Sequence, residues 1–164
     1  MRRLLLFLAL FAVQVGFAQE IRVVDRKHNQ VAVLGEALST QVMFERFGAP
    51  KLFEERYDEG ADLQMGEFVY KTATLVVGNG YFYSFSLRDN RFEVIVNDQY
   101  RVKVGDKFSE FITSLPEGSY YIQSNEEGLF GIHWKTLNGL FSDCSLIFRV
   151  ESDTIRSIVW DEPI

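Results

Sequence analysis

Two histidines, one cysteine and a run of carboxylates are the side chains from which a reaction would have to be built. His28 sits in the polar stretch Arg26-Lys27-His28-Asn29-Gln30, and His133 lies between Ile132 and Trp134. A catalytic histidine needs one group to orient it and another to exchange a proton with. Neither histidine has such a partner at a recognisable spacing, and no H-E-x-x-H, G-x-S-x-G or Walker loop occurs. His133 alternates with Ile132 and Trp134, which places it on the less apolar side of a strand. Cys144 alternates in phase with Leu146, Phe148 and Val150, so it reads as a small buried hydrophobe rather than an activated thiol. Glu54, Glu55, Asp58, Glu59 and Asp62 crowd residues 51–62 without the order of a calcium loop, and read as a solvated hairpin or loop. Nothing selects one pair of acids for glycoside chemistry. The inventory points away from an enzyme, a metal site and a cofactor.

Aromatic side chains are the better lead. They make up 15% of the chain, enough for both a core and a recognition surface. Tyr81, Phe82 and Tyr83 are consecutive, so a strand here carries aromatics on both faces, and Tyr120-Tyr121 repeats the arrangement. Strand alternation groups Tyr81 and Tyr83 with Phe85 and Leu87, leaving Phe82 opposite. Aromatics are both good strand formers and common interface anchors. Tyr81, Phe82, Tyr83, Tyr120, Tyr121 and Trp134 are therefore the candidate binding residues, with Phe82 or one tyrosine of each pair expected at the surface.

The elements that must position them follow one pattern used twice. Leu34-Gly35-Glu36-Ala37-Leu38-Ser39 runs on to Phe47-Gly48, and Val104-Gly105-Asp106-Lys107-Phe108-Ser109 runs on to Glu117-Gly118, seventy positions later. Each reads as a short helix entered from a Gly-acid turn. The second is the better patterned, with Phe108, Phe111, Ile112 and Leu115 on one stripe; Asp106 and Ser109 are alternative caps. Short strands are expected at 21–25 and 31–34. From Gly66 the alternation turns β, with Gly78-Asn79-Gly80 as a hairpin turn and Arg88-Asp89-Asn90-Arg91 as the next, hence a three-strand antiparallel meander. A second set of strands follows Gly118, with a turn at Leu137-Asn138-Gly139 and both Trp134 and Trp160 in its sheet. The expected fold class is α+β: two tandem helix-plus-antiparallel-sheet repeats, with helices packed on sheet.

Met1-Arg2-Arg3, the apolar run Leu4 to Val13 and Val15-Gly16-Phe17-Ala18 have the layout of a secretory signal peptide over residues 1–18. That run is shorter than the ~20 residues of a spanning helix. The domain reading is thus 1–18 signal, 19–98 first repeat and 99–164 second repeat. Of 17 basic residues, Arg2 and Arg3 leave with the signal, so 15 face 23 acidic ones and the remaining net charge is −8. Such a chain is poorly matched to nucleic acid or to anionic lipid. With one cysteine, an exported fold must be held by packing rather than disulfides.

The pattern V-x-V-G-D-x-x-S at residues 102–109, its counterpart near Gly35 and the strands behind each resemble tandem-repeat proteins of the β-lactamase-inhibitor-protein-like superfamily. Small outer-membrane assembly lipoproteins carry one copy of a similar unit. The resemblance covers residues 31 to 160 and implies two αβ units, a role in binding other proteins and a bacterial envelope setting. It carries over no functional residue. The expectation is an exported, periplasmic or extracellular, non-enzymatic module that binds another protein, without nucleic acid or membrane insertion. The alternative is a small-ligand pocket between the two repeats.

Overall fold

The β-rich alternation of the sequence is realised almost throughout the chain. The computed structural model describes residues 20–60, 62–125, 127–135 and 141–161, the last segment by backbone alone at 141–144 and 161. The signal-peptide expectation, the Leu137-Asn138-Gly139 turn and the burial of the Cys144 side chain lie outside what is described. The elements are β1 Ile21–Asp25, β2 Gln30–Val33, α1 Thr40–Phe47, β3 Leu52–Asp58, β4 Leu63–Val69, β5 Ala73–Gly78 and β6 Tyr81–Leu87. They continue as β7 Phe92–Val96, β8 Tyr100–Lys103, α2 Phe108–Ser114, β9 Tyr120–Ser124, β10 Leu129–Lys135, β11 Phe141–Glu151 and β12 Thr154–Asp161.

The α+β expectation is therefore corrected. Among the described residues the helices are two, of eight and seven residues, and the rest of the regular structure is antiparallel sheet. Two sheets form, a four-stranded one in the order β2-β1-β7-β8 and an eight-stranded one in the order β3-β4-β5-β6-β12-β11-β10-β9. The two halves of the chain are not separate helix-on-sheet units. β7 pairs with β8 and β6 pairs with β12, so each sheet takes strands from both halves. The expected meander is corrected with it. After β6 the chain leaves the large sheet, and Phe92–Val96 pairs with β1 and β8 instead.

Register explains the layering. One row crosses the eight-stranded sheet through Phe53, Phe68, Leu75, Phe85, Trp160, Leu146, Ile132 and Ile122, each opposite the next. All eight are apolar, and the six central ones are buried. The small sheet turns Val23, Ala32, Val94 and Val102 toward the same core. α1 lies between the two, since its Phe47 touches Phe92 of the small sheet and its Phe44 touches Phe68 of the large one. α2 sets Phe108 and Phe111 against Phe148 at 5.5 and 5.4 Å. Each such ring contributes roughly 1.5–3 kcal/mol by leaving water, so packing holds the fold.

The recurring Gly-acid stretch has one job in both places. The amides of Gly35 and Leu38 donate to Phe82 O and Gly80 O, and Phe82 N donates to Glu36 O. Seventy residues on, Gly105 and Phe108 donate to Ile155 O and Asp153 O, and Ile155 N donates to Asp106 O. Each stretch thus ties a strand of the small sheet to a hairpin of the large one. Both glycines need positive φ, at 78° and 97°. Each acid also accepts from the amide three residues before it, Val33 N and Lys103 N, which closes the turn. Neither Asp106 nor Ser109 caps α2 by its own side chain. The cap position is Lys107, and Asp153 of the β11–β12 turn accepts from both Ser109 N and Ser109 Oγ.

Candidate functional site

The inner face of the eight-stranded sheet is covered by the helices and the small sheet, and its other face has no layer over it among the described residues. Shifting every strand of the inner row by one residue produces the matching outer row. It reads Leu52, Val69, Thr74, Ser86, Val159, Ile147, Gly131 and Gln123. No member is charged. Leu52 and Gln123 at the ends are exposed, and the six between are half-buried. At about 4.8 Å between strands the row is ~34 Å long. A neighbouring row brings Val76 opposite Ser84 and His133 between Tyr121 and Ser145. Charged positions flank the row: Glu54, Arg56 and Glu67 on β3 and β4, Arg149 and Glu151 at one end of β11, and Asp161 in register with Ser145 at the end of β12.

The candidate aromatics divide between the two faces. Tyr81 is 54% exposed and Tyr121 43% exposed. Tyr121 lies on the outer face, its ring stacked on His133 at 5.3 Å. Phe82 and Trp134 are corrected: both are core residues, 1% and 3% exposed. Trp134 belongs to the inner face because it pairs with Tyr120, whose hydroxyl reaches Ile112 O at 3.4 Å. Tyr120 is thereby half-buried on that face as well. Phe82 is turned inward by a β-bulge. Val76 pairs with Ser84 but Val77 pairs with Phe82, so Tyr83 is an inserted residue and alternation changes phase across it. Phe82 then points with Phe85 and Leu87. Tyr83 is half-buried at the bulge.

His133, Ser145 and Asp161 stand in register on β10, β11 and β12. Their order is unsuited to a triad, because the serine lies between the histidine and the acid, whereas the acid must orient the histidine. A groove of about 310 Å³ is lined by Leu38, Ser39, Glu55, Met65, Gly66 and Val77 among others. It is confined to the first half of the chain. At the junction where a ligand pocket was expected, β6 and β12 pair directly through Phe85 with Trp160 and Leu87 with Ile158. No group of three or more metal-binding side chains occurs among the described residues.

One cluster escaped the sequence reading. Asp25 ends β1 with its side chain fully buried, on the inward alternation of Ile21 and Val23. Arg91 meets it with two nitrogens, Nε at 3.1 Å and Nη2 at 2.5 Å. His28 Nδ1 lies 2.7 Å from Asp25 Oδ2, and Lys27 N donates to Oδ1 at 2.9 Å. Arg91 also donates to Phe47 O at the end of α1 and lies over the rings of Tyr70 and Phe92. Burial alone would raise the Asp25 pKa. The Arg91, His28 and Lys27 hydrogen bonds outweigh it and hold the carboxyl below its ordinary value. Burial pushes the Tyr70 phenol up to about 12, with Arg91 opposing. The cluster joins three loops and one helix end, so its work is structural. The signal for it was the acid at Asp25 where strand alternation calls for a hydrophobe.

Comparison of the chain with protein-family models, with curated proteins and with solved structures returned no match in any of the three.

Proposed function

We propose that this chain is a non-enzymatic module of the bacterial envelope or exterior that binds another protein through the outer face of its eight-stranded sheet. The observation that carries the reading is the uncharged outer row from Leu52 to Gln123. A sheet face that meets only water gains solubility from charged side chains, and charge is also the common protection against association. Interfaces show the opposite composition, a centre depleted of charge inside a polar rim with aromatic anchors. Here small and aliphatic residues fill the centre, with Tyr121 and His133 at one side and charged residues at the margins. The sequence features of export agree with an extracytoplasmic partner.

The test is site-specific photo-cross-linking in cells, with the reactive residue placed at Ser86 and, separately, at exposed Lys71. Ser86 is expected to yield a discrete adduct that disappears when Val159→Glu is added, with the thermal midpoint of the chain little changed. Adducts at Lys71 alone, or at neither site, would refute a sheet-face interface.

A further inference from the structure

The four outermost strands of the two sheets differ in how their free backbone edge is treated. β2 has Arg46 Nη1 donating to Val31 O, and α2 packs against β8. β9 is five residues long. β3 has seven residues, all paired with β4 in one register without a bulge. Its other side has no partner strand among the described residues, and five of its residues are exposed. Proline and bulges are absent from it, so the one obstacle to edge pairing that it carries is charge, which a segment of opposite sign would neutralise. Leu52 is 48% exposed and Tyr57 55% exposed, so apolar surface accompanies the unpaired backbone.

The charge on this edge is one-signed. Arg56, its single base, is engaged by Glu67 at 2.6 Å. Glu54 and Glu55 have no ion-pair partner among the described residues, although Arg22, Arg46, Arg101 and Lys103 elsewhere are all paired with acids. Glu54 projects to the outer face and Glu55 to the inner one.

We propose that β3 is the docking edge for an extended, basic segment of a partner protein, which adds to the sheet as a ninth strand. Main-chain hydrogen bonds along β3 hold the segment, and its side chains supply the selection. Two consecutive Lys or Arg residues, one on each face, stand opposite Glu55 and Glu54, and β-branched residues stand opposite Phe53 and Leu52. A second copy of this chain is the poorer occupant, because it would set one net-negative β3 beside another. The inference goes beyond the sheet-face reading and does not rest on it.

The probe is the heptapeptide acetyl-Thr-Val-Thr-Lys-Lys-Val-Ile-amide and its reversed sequence, titrated into the chain and followed by amide chemical shifts. One orientation is expected to bind saturably, with the shifts concentrated at residues 52–58. Glu54→Lys with Glu55→Lys is expected to weaken it at least tenfold while circular dichroism stays unchanged. N-methylation of alternate peptide amides should abolish it. The proposal fails if neither peptide binds, if the N-methylated peptide binds equally well, or if light scattering shows that the chain pairs with itself through β3.

Discussion

Replacing Arg91 with Met tests the energetics of the cluster that joins the sheets to α1. The substitution keeps a long apolar stem over Tyr70 and Phe92 but removes both nitrogens from Asp25 and the donor to Phe47 O. Asp25 is fully buried, and breaking a buried pair from one side typically costs about 3–5 kcal/mol, because the remaining charge stays behind uncompensated. For a chain of this size that is a fall of roughly 10 °C in the thermal midpoint. The pH dependence separates this cause from simple loss of packing. In the parent, Asp25 titrates below its ordinary value, so its stabilisation is complete above the unfolded carboxylate pKa of about 3.9 and is lost as pH falls through the folded value. Without Arg91, burial is opposed only by His28 and Lys27 N, and the Asp25 pKa moves upward. The variant then regains ground relative to the parent on acidification, so the stability gap narrows between pH 7 and pH 4. Urea denaturation at the two pH values measures it. Adding Asp25→Asn to Arg91→Met should restore part of the loss at pH 7. A gap below about 1 kcal/mol at pH 7, or one equal at both pH values, would refute the account.

At Gly128, φ is 75° and an added Cβ would stand 2.8 Å from Val150 O, whereas at Gly105, φ is 97° and nothing lies within 4 Å. Gly105→Ala is expected to cost about 1–2 kcal/mol through backbone conformation alone. Gly128→Ala should cost clearly more in chemical denaturation, and equal losses would contradict the close approach. Tyr70, whose pKa is raised to about 12, keeps its proton in the folded chain after unfolded tyrosines have lost theirs near ~10. Stability should therefore fall between pH 10 and 12, by roughly 3 kcal/mol from this residue. Tyr70→Phe is expected to flatten that slope, and an unchanged slope in urea melts at pH 9 and 11.5 would count against it.

What the sequence disclosed was local chemistry, and what it withheld was neighbourhood. Glycine followed by an acid at residues 35 and 105 signals a turn, because positive φ and a side-chain acceptor are properties of single residues. Alternation marked which residues of a strand are buried, but it cannot say which strand lies alongside. Arg88-Asp89-Asn90-Arg91 has the composition of a hairpin turn, yet it carries the chain from one sheet to the other. One inserted residue at Tyr83 leaves no compositional trace, and it was enough to reverse the expected faces of Phe82 and Tyr81. The cap of α2 was sought within its own segment, whereas Asp153 supplies it from a hairpin forty-four residues away. Asp25 was legible and was missed: a carboxylate on the buried phase of a strand must find a cation to be tolerated.

The proposed interface is likewise a property of neighbourhood. Leu52, Val69, Thr74, Ser86, Val159, Ile147, Gly131 and Gln123 share no motif and are scattered over more than a hundred positions. Only strand register assembles them into a row, and the property they then share is the lack of a charge. The tyrosine at its rim, Tyr121, is legible in the sequence because an anchor is a residue type. The surface itself is defined by what every strand leaves out at one position, and an omission becomes visible only when the eight strands are laid side by side. Had the row been a consequence of composition alone, the neighbouring outer row would lack charge as well. It carries Glu54 and Glu67 at one end and Asp161 in register with Ser145, so the uncharged line is specific to one register.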